Sequence, residues 1–384
     1  MPAAHAHSKS FRPRRWTIAV ALAGVAVVGV GVAAFSVRDN RAAASPTTTQ
    51  VKAVDTAATP GPFRVVGVTP AAGTSLVPSD ATLSVRFSTP VDPRSPTPTL
   101  SPAASGVWQL VTPDTFAFVA SGPLVPSSTE TVAVPAGETG VVSTTGKKLA
   151  VATTAQFSVA AGTTLRVQQL LAQLGYLPLS FSPAGPLAAP QEAAQAQEGT
   201  FTWRWSEPAS LEGQWTEGSP NQITKGAVMA FESQHDMKTD GIAGPAVWQQ
   251  LLADAAAGTV DSAPYNYVYV SRALPETATV YSDGAAVYST RANTGVAAAP
   301  TASGTFPVYI RYKVTTMTGT NPDGSKYSDP GIPWVSYFNG GDALHGFVRG
   351  SYGYPQSDGC VEMPPANAAV VYPLTPIGTL VTVS

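Results

Sequence analysis

The chain has a single cysteine in 384 residues, Cys360, and a single histidine beyond His235, His345. They bracket the glycine-rich stretch His345-Gly346-Phe347-Val348-Arg349-Gly350-Ser351-Tyr352-Gly353-Tyr354-Pro355-Gln356-Ser357-Asp358-Gly359-Cys360. A cysteine attacks as its thiolate, and a free pKa near ~8.5 leaves only a minority ionised at neutral pH, so it needs a base or a cation nearby. His345 is the imidazole available for that task. Gly359 frees the backbone for a tight approach, and the N–H groups of Asp358, Gly359 and Cys360 are candidates for an oxyanion hole. Two strand ends joined by a turn would bring thiol and imidazole together. The competing reading is a buried Cys360 acting as a small hydrophobe. A metal mechanism lacks ligands: beyond one His and one Cys, Asp342, Asp358 and Glu362 show no metal-binding spacing. No metal and no cofactor is expected.

The elements that must position this pair are strands. Tyr267–Val270, Thr279–Tyr281, Ala286–Ser289, Phe306–Ile310, Trp334–Phe338 and Leu380–Val383 all read as β. The only helix expected in this region is the short segment 365–372. Gly, Pro, Asn and Asp cluster between Thr318 and Gly331, which predicts a long loop of the kind that serves as a lid. Trp334, Tyr337 and Tyr354 are candidate cleft walls, with core packing as the alternative. Arg349 is a candidate contact for a substrate carboxylate, and Ser357 and Glu362 flank the thiol.

Upstream, the chain reads as delivery machinery. Residues 1–15 carry Lys9, Arg12, Arg14 and Arg15 with no acid, and Trp16 to Val37 is uncharged. About twenty apolar residues span a ~30 Å hydrocarbon core, and the basic flank keeps the N-terminus in the cytoplasm. The expectation is a transmembrane anchor at 16–37 with the bulk of the chain extracytoplasmic. A signal peptide cleaved near Ala42-Ala43-Ala44 is the alternative. Residues 38–61 read as a linker. Residues 62–160 show short alternating strands between Pro/Gly/Ser turns, the pattern of a β-sandwich. Residues 163–254 turn helical: apolar positions 167, 170, 171 and 174 form one stripe, and Gly175 suits a C-cap. Residues 178–222 interrupt that region with Trp203, Trp205 and Trp215, which either stack on a sugar or anchor the segment. Charged residues make up 12% of the chain and net charge is −2, which excludes a nucleic-acid partner. The fold class expected is multidomain: anchor, β-sandwich, small helical domain, and a β-rich catalytic domain at 265–384.

Three stretches carry family resemblances. Phe87-Ser88-Thr89-Pro90-Val91-Asp92 is similar to a phrase of bacterial immunoglobulin-like (Ig-like) domains. Val167-Gln168-Gln169-Leu170-Leu171 through Leu174-Gly175-Tyr176, with Asp240-Gly241-Ile242-Ala243-Gly244-Pro245, resembles the three-helix peptidoglycan-binding domain. His345-Gly346 followed by Ser357-Asp358-Gly359-Cys360-Val361-Glu362-Met363 resembles the catalytic motif of the L,D-transpeptidases (YkuD family), and Thr301-Ala302-Ser303-Gly304-Thr305-Phe306 and Pro376-Ile377-Gly378-Thr379 match further segments. The combination is similar to actinobacterial cell-wall enzymes. The resemblance implies a Cys360 thioester, His345 as base and then acid, and a backbone group at Gly346 orienting the imidazole. It implies peptidoglycan stem peptides and glycan as partners, a 3→3 cross-link as product, and carbapenem-type β-lactams as inhibitors. Asp358 stands where that family has histidine, and Glu362 where it has Arg or Asn. An anionic pair beside Cys360 would raise the thiol pKa. Two alternatives therefore stay open: a wall-binding protein with a degenerate catalytic domain, and an enzyme of the same fold that hydrolyses stems or attaches to them.

Overall fold

The computed structural model describes residues 61–384, Leu187 apart. The expected basic tail, anchor and nearly all of the linker lie outside the described residues. Among the described residues no helix is long and apolar enough to cross a membrane.

Two sheets form the first module. Strands β1 (Val65–Thr69), β2 (Leu83–Phe87), β3 (Thr99–Ser101), β4 (Gly106–Thr112), β5 (Thr115–Ala120), β6 (Thr129–Val134) and β7 (Thr153–Ser158) assemble in the orders β1-β2-β5-β4 and β3-β6-β7. The alternation Leu83, Val85, Phe87 against Val132, Val134 and Phe157 supplies the core between them.

The helical module follows. Helix α1 (Thr164–Gln173) starts where the Thr163 hydroxyl accepts from the Arg166 N–H, and Gly175 takes a positive φ just past its end. The inserted segment folds as a hairpin of β8 (Leu179–Pro183) and β9 (Gly199–Trp203), then a short α2 (Ala209–Glu212). Helices α3 (Gln222–Gln234) and α4 (Pro245–Ala257) complete the module, with Pro245 in the first turn of α4. The insertion tryptophans are accounted for by packing. Trp203 and Trp215 lie against the helical core, Phe201 meets Trp215 edge-on at 5.1 Å, and the Arg204 guanidinium covers Trp205 at 4.2 Å. His235 is also structural: its Nε2 sits 3.0 Å from Asp254 Oδ2 while its ring lies 4.3 Å from that of Phe231.

The last module is a two-sheet sandwich. Strands β10 (Asn266–Ser271), β11 (Thr277–Ser282), β12 (Ala285–Arg291) and β13 (Gly304–Pro307) join one sheet; β14 (Ile310–Thr320), β15 (Lys326–Asn339), β16 (Asp342–Gly346) and β17 (Val361–Met363) form the other. After helix α5 (Pro365–Val371), the chain returns as β18 (Leu380–Val383) to the first sheet, which runs β12-β11-β10-β18-β13. Val268, Val280, Leu344, Val361, Met363 and Val381 fill the space between the sheets.

Two expectations need correction here. The segment from Thr318 to Gly331 is not a long loop. Its polar residues form the tip and arms of the β14–β15 hairpin, paired from Thr320↔Lys326 back to Ile310↔Tyr337. Asp323 folds the tip by accepting from the Ser325 N–H at 2.9 Å, and Gly324 supplies the positive φ. Second, no tight turn joins β16, which bears His345, to β17, which starts one residue after Cys360. β16 and β17 run parallel, so the chain must cross over, and residues 347–360 make that crossover.

Candidate active site

The parallel register pairs Leu344 with Val361, His345 with Glu362 and Gly346 with Met363. Facing residues of adjacent strands project to the same side, and alternate residues along a strand share a face. Leu344, Val361 and Met363 therefore enter the sandwich core, while His345 and Glu362 face outward with Cys360, two residues before Glu362. There the hairpin covers them. Met317, Asn321, Tyr327, Asp329 and Ile332 from the hairpin enclose, with His345, Phe347, Arg349, Ser357, Asp358, Cys360 and Glu362, a cavity of about 280 Å³.

The crossover is held from outside. Asn293 and Glu362 exchange backbone N–H···O bonds of 2.9 Å, and the N–H groups of Gln356 and Ser357 donate to the Thr294 carbonyl. Ser357 Oγ donates to the Cys360 carbonyl at 2.6 Å and accepts from the Gly359 N–H at 3.3 Å. Gly359 is required on two counts. Its φ is +113°, and a Cβ there would stand 2.8 Å from Asp342 Oδ1. Asp342 in turn accepts from the Ala302 N–H at 3.1 Å, which ties the Thr301–Phe306 segment to the site.

His345 is 3% exposed, and its Nδ1 lies 3.1 Å from the Gly346 carbonyl oxygen. A carbonyl only accepts, so Nδ1 carries the proton and Nε2 is left as the basic nitrogen. Burial holds the imidazole pKa below its ordinary value. The Cys360 thiol is turned toward the β15–β16 connection, with Sγ 3.6 Å from the Gly341 carbonyl oxygen. Burial pushes its pKa up to about 12, helped by the carboxylates of Asp342, Glu362 and Asp358 and opposed by the Ala343 N–H. The resting couple is thus neutral thiol and neutral imidazole rather than an ion pair.

Of the candidate site residues, His345, Arg349, Ser357, Asp358, Cys360 and Glu362 line one cavity. Gly346 supplies the carbonyl that orients His345. Tyr337 packs in the small cluster that also holds Cys360, beside Tyr309 and Tyr312. Trp334 does not line the cavity: its ring packs on Tyr372 at 5.6 Å and joins the sandwich core. Tyr354 bonds Ser351 at the surface. Gly359 is a poor oxyanion donor as placed, because its N–H already meets Ser357 Oγ. Arg349, expected as a contact for a substrate carboxylate, and Glu362, expected beside the thiol, form one bidentate ion pair, with Nε to Oε2 at 2.8 Å and Nη2 to Oε1 at 2.7 Å. Sequence reasoning missed Met317, Tyr327, Asp329, Ile332 and Phe347, because the roof comes from a hairpin whose polar composition hid its strands.

Comparison with known proteins bears on two of the modules. Residues 265–383 match the family model of the L,D-transpeptidase catalytic domain, YkuD, and residues 59–159 that of the bacterial Ig-like domain. The carboxy-terminal module is thus an L,D-transpeptidase catalytic domain, preceded by an Ig-like domain. No curated protein matches the chain. Among solved structures, an L,D-transpeptidase from Mycobacterium smegmatis aligns with 16% identity over 84% of this chain and 100% of its own, at a TM-score of 0.29. L,D-transpeptidase 3 from Mycobacterium tuberculosis gives 13% identity over 84% and 98%, at 0.29. The catalytic domain of the Enterococcus faecium L,D-transpeptidase gives 26% over 31% and 96%, again at 0.29.

Proposed function

We propose that this chain is an L,D-transpeptidase that forms 3→3 cross-links in peptidoglycan outside the cytoplasmic membrane. The observation that carries the reading is that His345 on β16 and Cys360, the last residue of the crossover before β17, line one cavity, with Nδ1 of the imidazole held at the Gly346 carbonyl and Nε2 left free. Nε2 takes the thiol proton as Sγ attacks the carbonyl between the diamino acid at stem position 3 and the terminal D-alanine of a tetrapeptide. The C–N bond breaks, His345 returns the proton to the departing amine of D-alanine, and a thioester remains on Cys360. The side-chain amine of a second stem attacks that thioester, loses a proton to His345, and releases the thiol with the new amide. Backbone N–H groups of Asp358 and Cys360 are the donors assigned to the oxyanion, since that of Gly359 is engaged. Arg349, Ser357, Tyr337 and Glu362 bound the space for the donor stem.

The helical module at 163–254 is assigned to the glycan or stem of the wall, and the apolar segment 16–37 to an anchor in the membrane. One observation favours a different reading. Three carboxylates surround the thiol and disfavour its anion, as they would in a wall-binding protein whose catalytic domain has declined.

Intact-mass analysis of the full-length protein with a carbapenem separates the two. The transpeptidase reading expects one covalent adduct, lost in Cys360→Ala and slowed in His345→Ala. A folded wild-type protein without adduct leaves the binding-protein reading. Disaccharide-tetrapeptide then yields cross-linked dimer if an amine resolves the thioester, and tripeptide if water does.

A further inference from the structure

Glu362 is an unusual neighbour for a thiol nucleophile. It faces His345 directly in the strand register, the residue is 4% exposed, and its carboxylate works against the Cys360 thiolate. A lone carboxylate buried there would be costly, because desolvation of an unpaired charge is not repaid. Arg349 compensates it, reaching from the far side of the crossover to bind both carboxylate oxygens in a fork.

The same arginine is fixed at three other points. Its Nη2 donates to the Gln356 carbonyl at 3.2 Å. Its backbone N–H donates to Tyr352 Oη at 3.0 Å, and that hydroxyl donates to the Phe347 carbonyl at 2.6 Å. Its guanidinium carbon lies 4.6 Å from the centre of the Phe347 ring. Phe347 is anchored to β17 through its N–H on the Met363 carbonyl, and meets the His345 ring edge to face at 6.1 Å and 89°. A continuous path of contacts thus runs from Glu362 through Arg349 and Phe347 to the imidazole.

We propose that Arg349 and Glu362 are paired positioning residues for the His345–Cys360 couple: the pair fixes the imidazole through Phe347 and neutralises the carboxylate nearest the histidine. The inference rests on the transpeptidase reading of the site. The charged and titratable groups that bear on the thiol are Asp342 and His345 of β16, Asp358 of the crossover, Glu362 of β17, and the phenols of Tyr327 and Tyr337 of β15. Arg349 is the one cation among the residues lining the cavity, so its removal leaves the carboxylates unopposed.

Two readouts on the full-length protein test this: the pH profile of Cys360 alkylation by iodoacetamide, which needs no substrate recognition, and the rate of carbapenem acylation, which needs the oriented histidine. Arg349→Gln is expected to move the alkylation limb to higher pH and slow alkylation at pH 8 by roughly tenfold, the factor for about one pKa unit. Acylation falls at least as far. Arg349→Gln/Glu362→Gln restores the alkylation profile without restoring acylation, because the charge is balanced but the fork is gone. Arg349→Lys keeps the alkylation profile and slows acylation, and it also serves if the glutamine variant does not fold. The proposal is overturned if Arg349→Gln and Arg349→Lys are folded and both readouts match wild type, or if only the melting temperature falls. A wild-type protein that alkylates but is not acylated at any pH sinks the transpeptidase reading instead, while the alkylation profiles still decide whether the pair sets the charge at the thiol.

Discussion

Gly226 of α3 and Gly378, just before β18, touch backbone to backbone across the junction of the helical and catalytic modules. A Cβ on Gly226 would stand 2.5 Å from the Gly378 carbonyl oxygen, and one on Gly378 would stand 2.8 Å from the Ala230 nitrogen. The Pro376-Ile377-Gly378-Thr379 segment is therefore a docking point for α3 as well as the entry to β18. Tyr267 and Leu380, from the catalytic sheet, complete the helical core.

Alanine at either glycine should push the modules apart. Overpacking at backbone contact costs roughly 1–3 kcal/mol, and Gly378 adds strain because its φ is +89°. Gly185→Ala is the control, since a Cβ there meets nothing within 4 Å. Thermal unfolding should show a drop of several degrees for Gly226→Ala and Gly378→Ala and none for Gly185→Ala. Three identical melting curves would mean the contact is not closed in solution.

The protonation states at the site predict an unusual pH dependence. Burial lowers the His345 pKa, so the acid limb of carbapenem acylation should fall below pH 6.5, where a free imidazole would already be protonated. Since the thiol is pushed up to about 12, alkylation by iodoacetamide should be slow at pH 8 and still rising above pH 10. His345→Ala should slow acylation by roughly 10²–10⁴, the range for a positioned base, and leave alkylation nearly unchanged. An alkylation midpoint near 8.5 in the wild type would mean that the thiol is solvated and the roof open.

What the sequence disclosed follows from which forces are local. The lone thiol and lone imidazole could be paired from residue type alone, and the α1 stripe of Val167, Leu170, Leu171 and Leu174 is a local period that survives as a buried face. The hairpin over the site was hidden because its arms pair with each other across Asn321–Ser325 and need no apolar alternation to do so; polar Asn321 and Asp329 face the cavity along with Met317, Tyr327 and Ile332. The Arg349–Glu362 fork was out of reach for a different reason. Thirteen residues separate the partners, and only the parallel register of β16 and β17 places Glu362 where the crossover can return an arginine to it. For Trp334 residue type left cleft wall and core packing open; the chain takes it at a φ of +59° and the ring joins the core.

Glu207 supplies the last prediction, one about stability. It lies between β9 and α2, where the insertion packs on the catalytic domain: Trp205 and Ser206 press on Gly284, and Tyr267 Oη donates to Ser210 Oγ at 2.8 Å. Glu207 is 8% exposed, and neither carboxylate oxygen has a hydrogen-bond partner. Burial raises its pKa to about 7, with Asp283 and Glu212 adding repulsion. The folded chain therefore keeps a proton on Glu207 that the unfolded chain loses near pH 4.5. Between those values the folded state binds more protons, so stability falls as pH rises, by a total on the order of 3 kcal/mol. Glu232, also raised to about 7 by burial, works in the same direction, whereas His345 works in the opposite one below pH 6.5. Comparing Glu207→Gln with wild type cancels both. The variant should melt several degrees higher than wild type at pH 8 and within a degree of it at pH 4.5. An equal difference at both pH values would show that Glu207 does not change its protonation across that range.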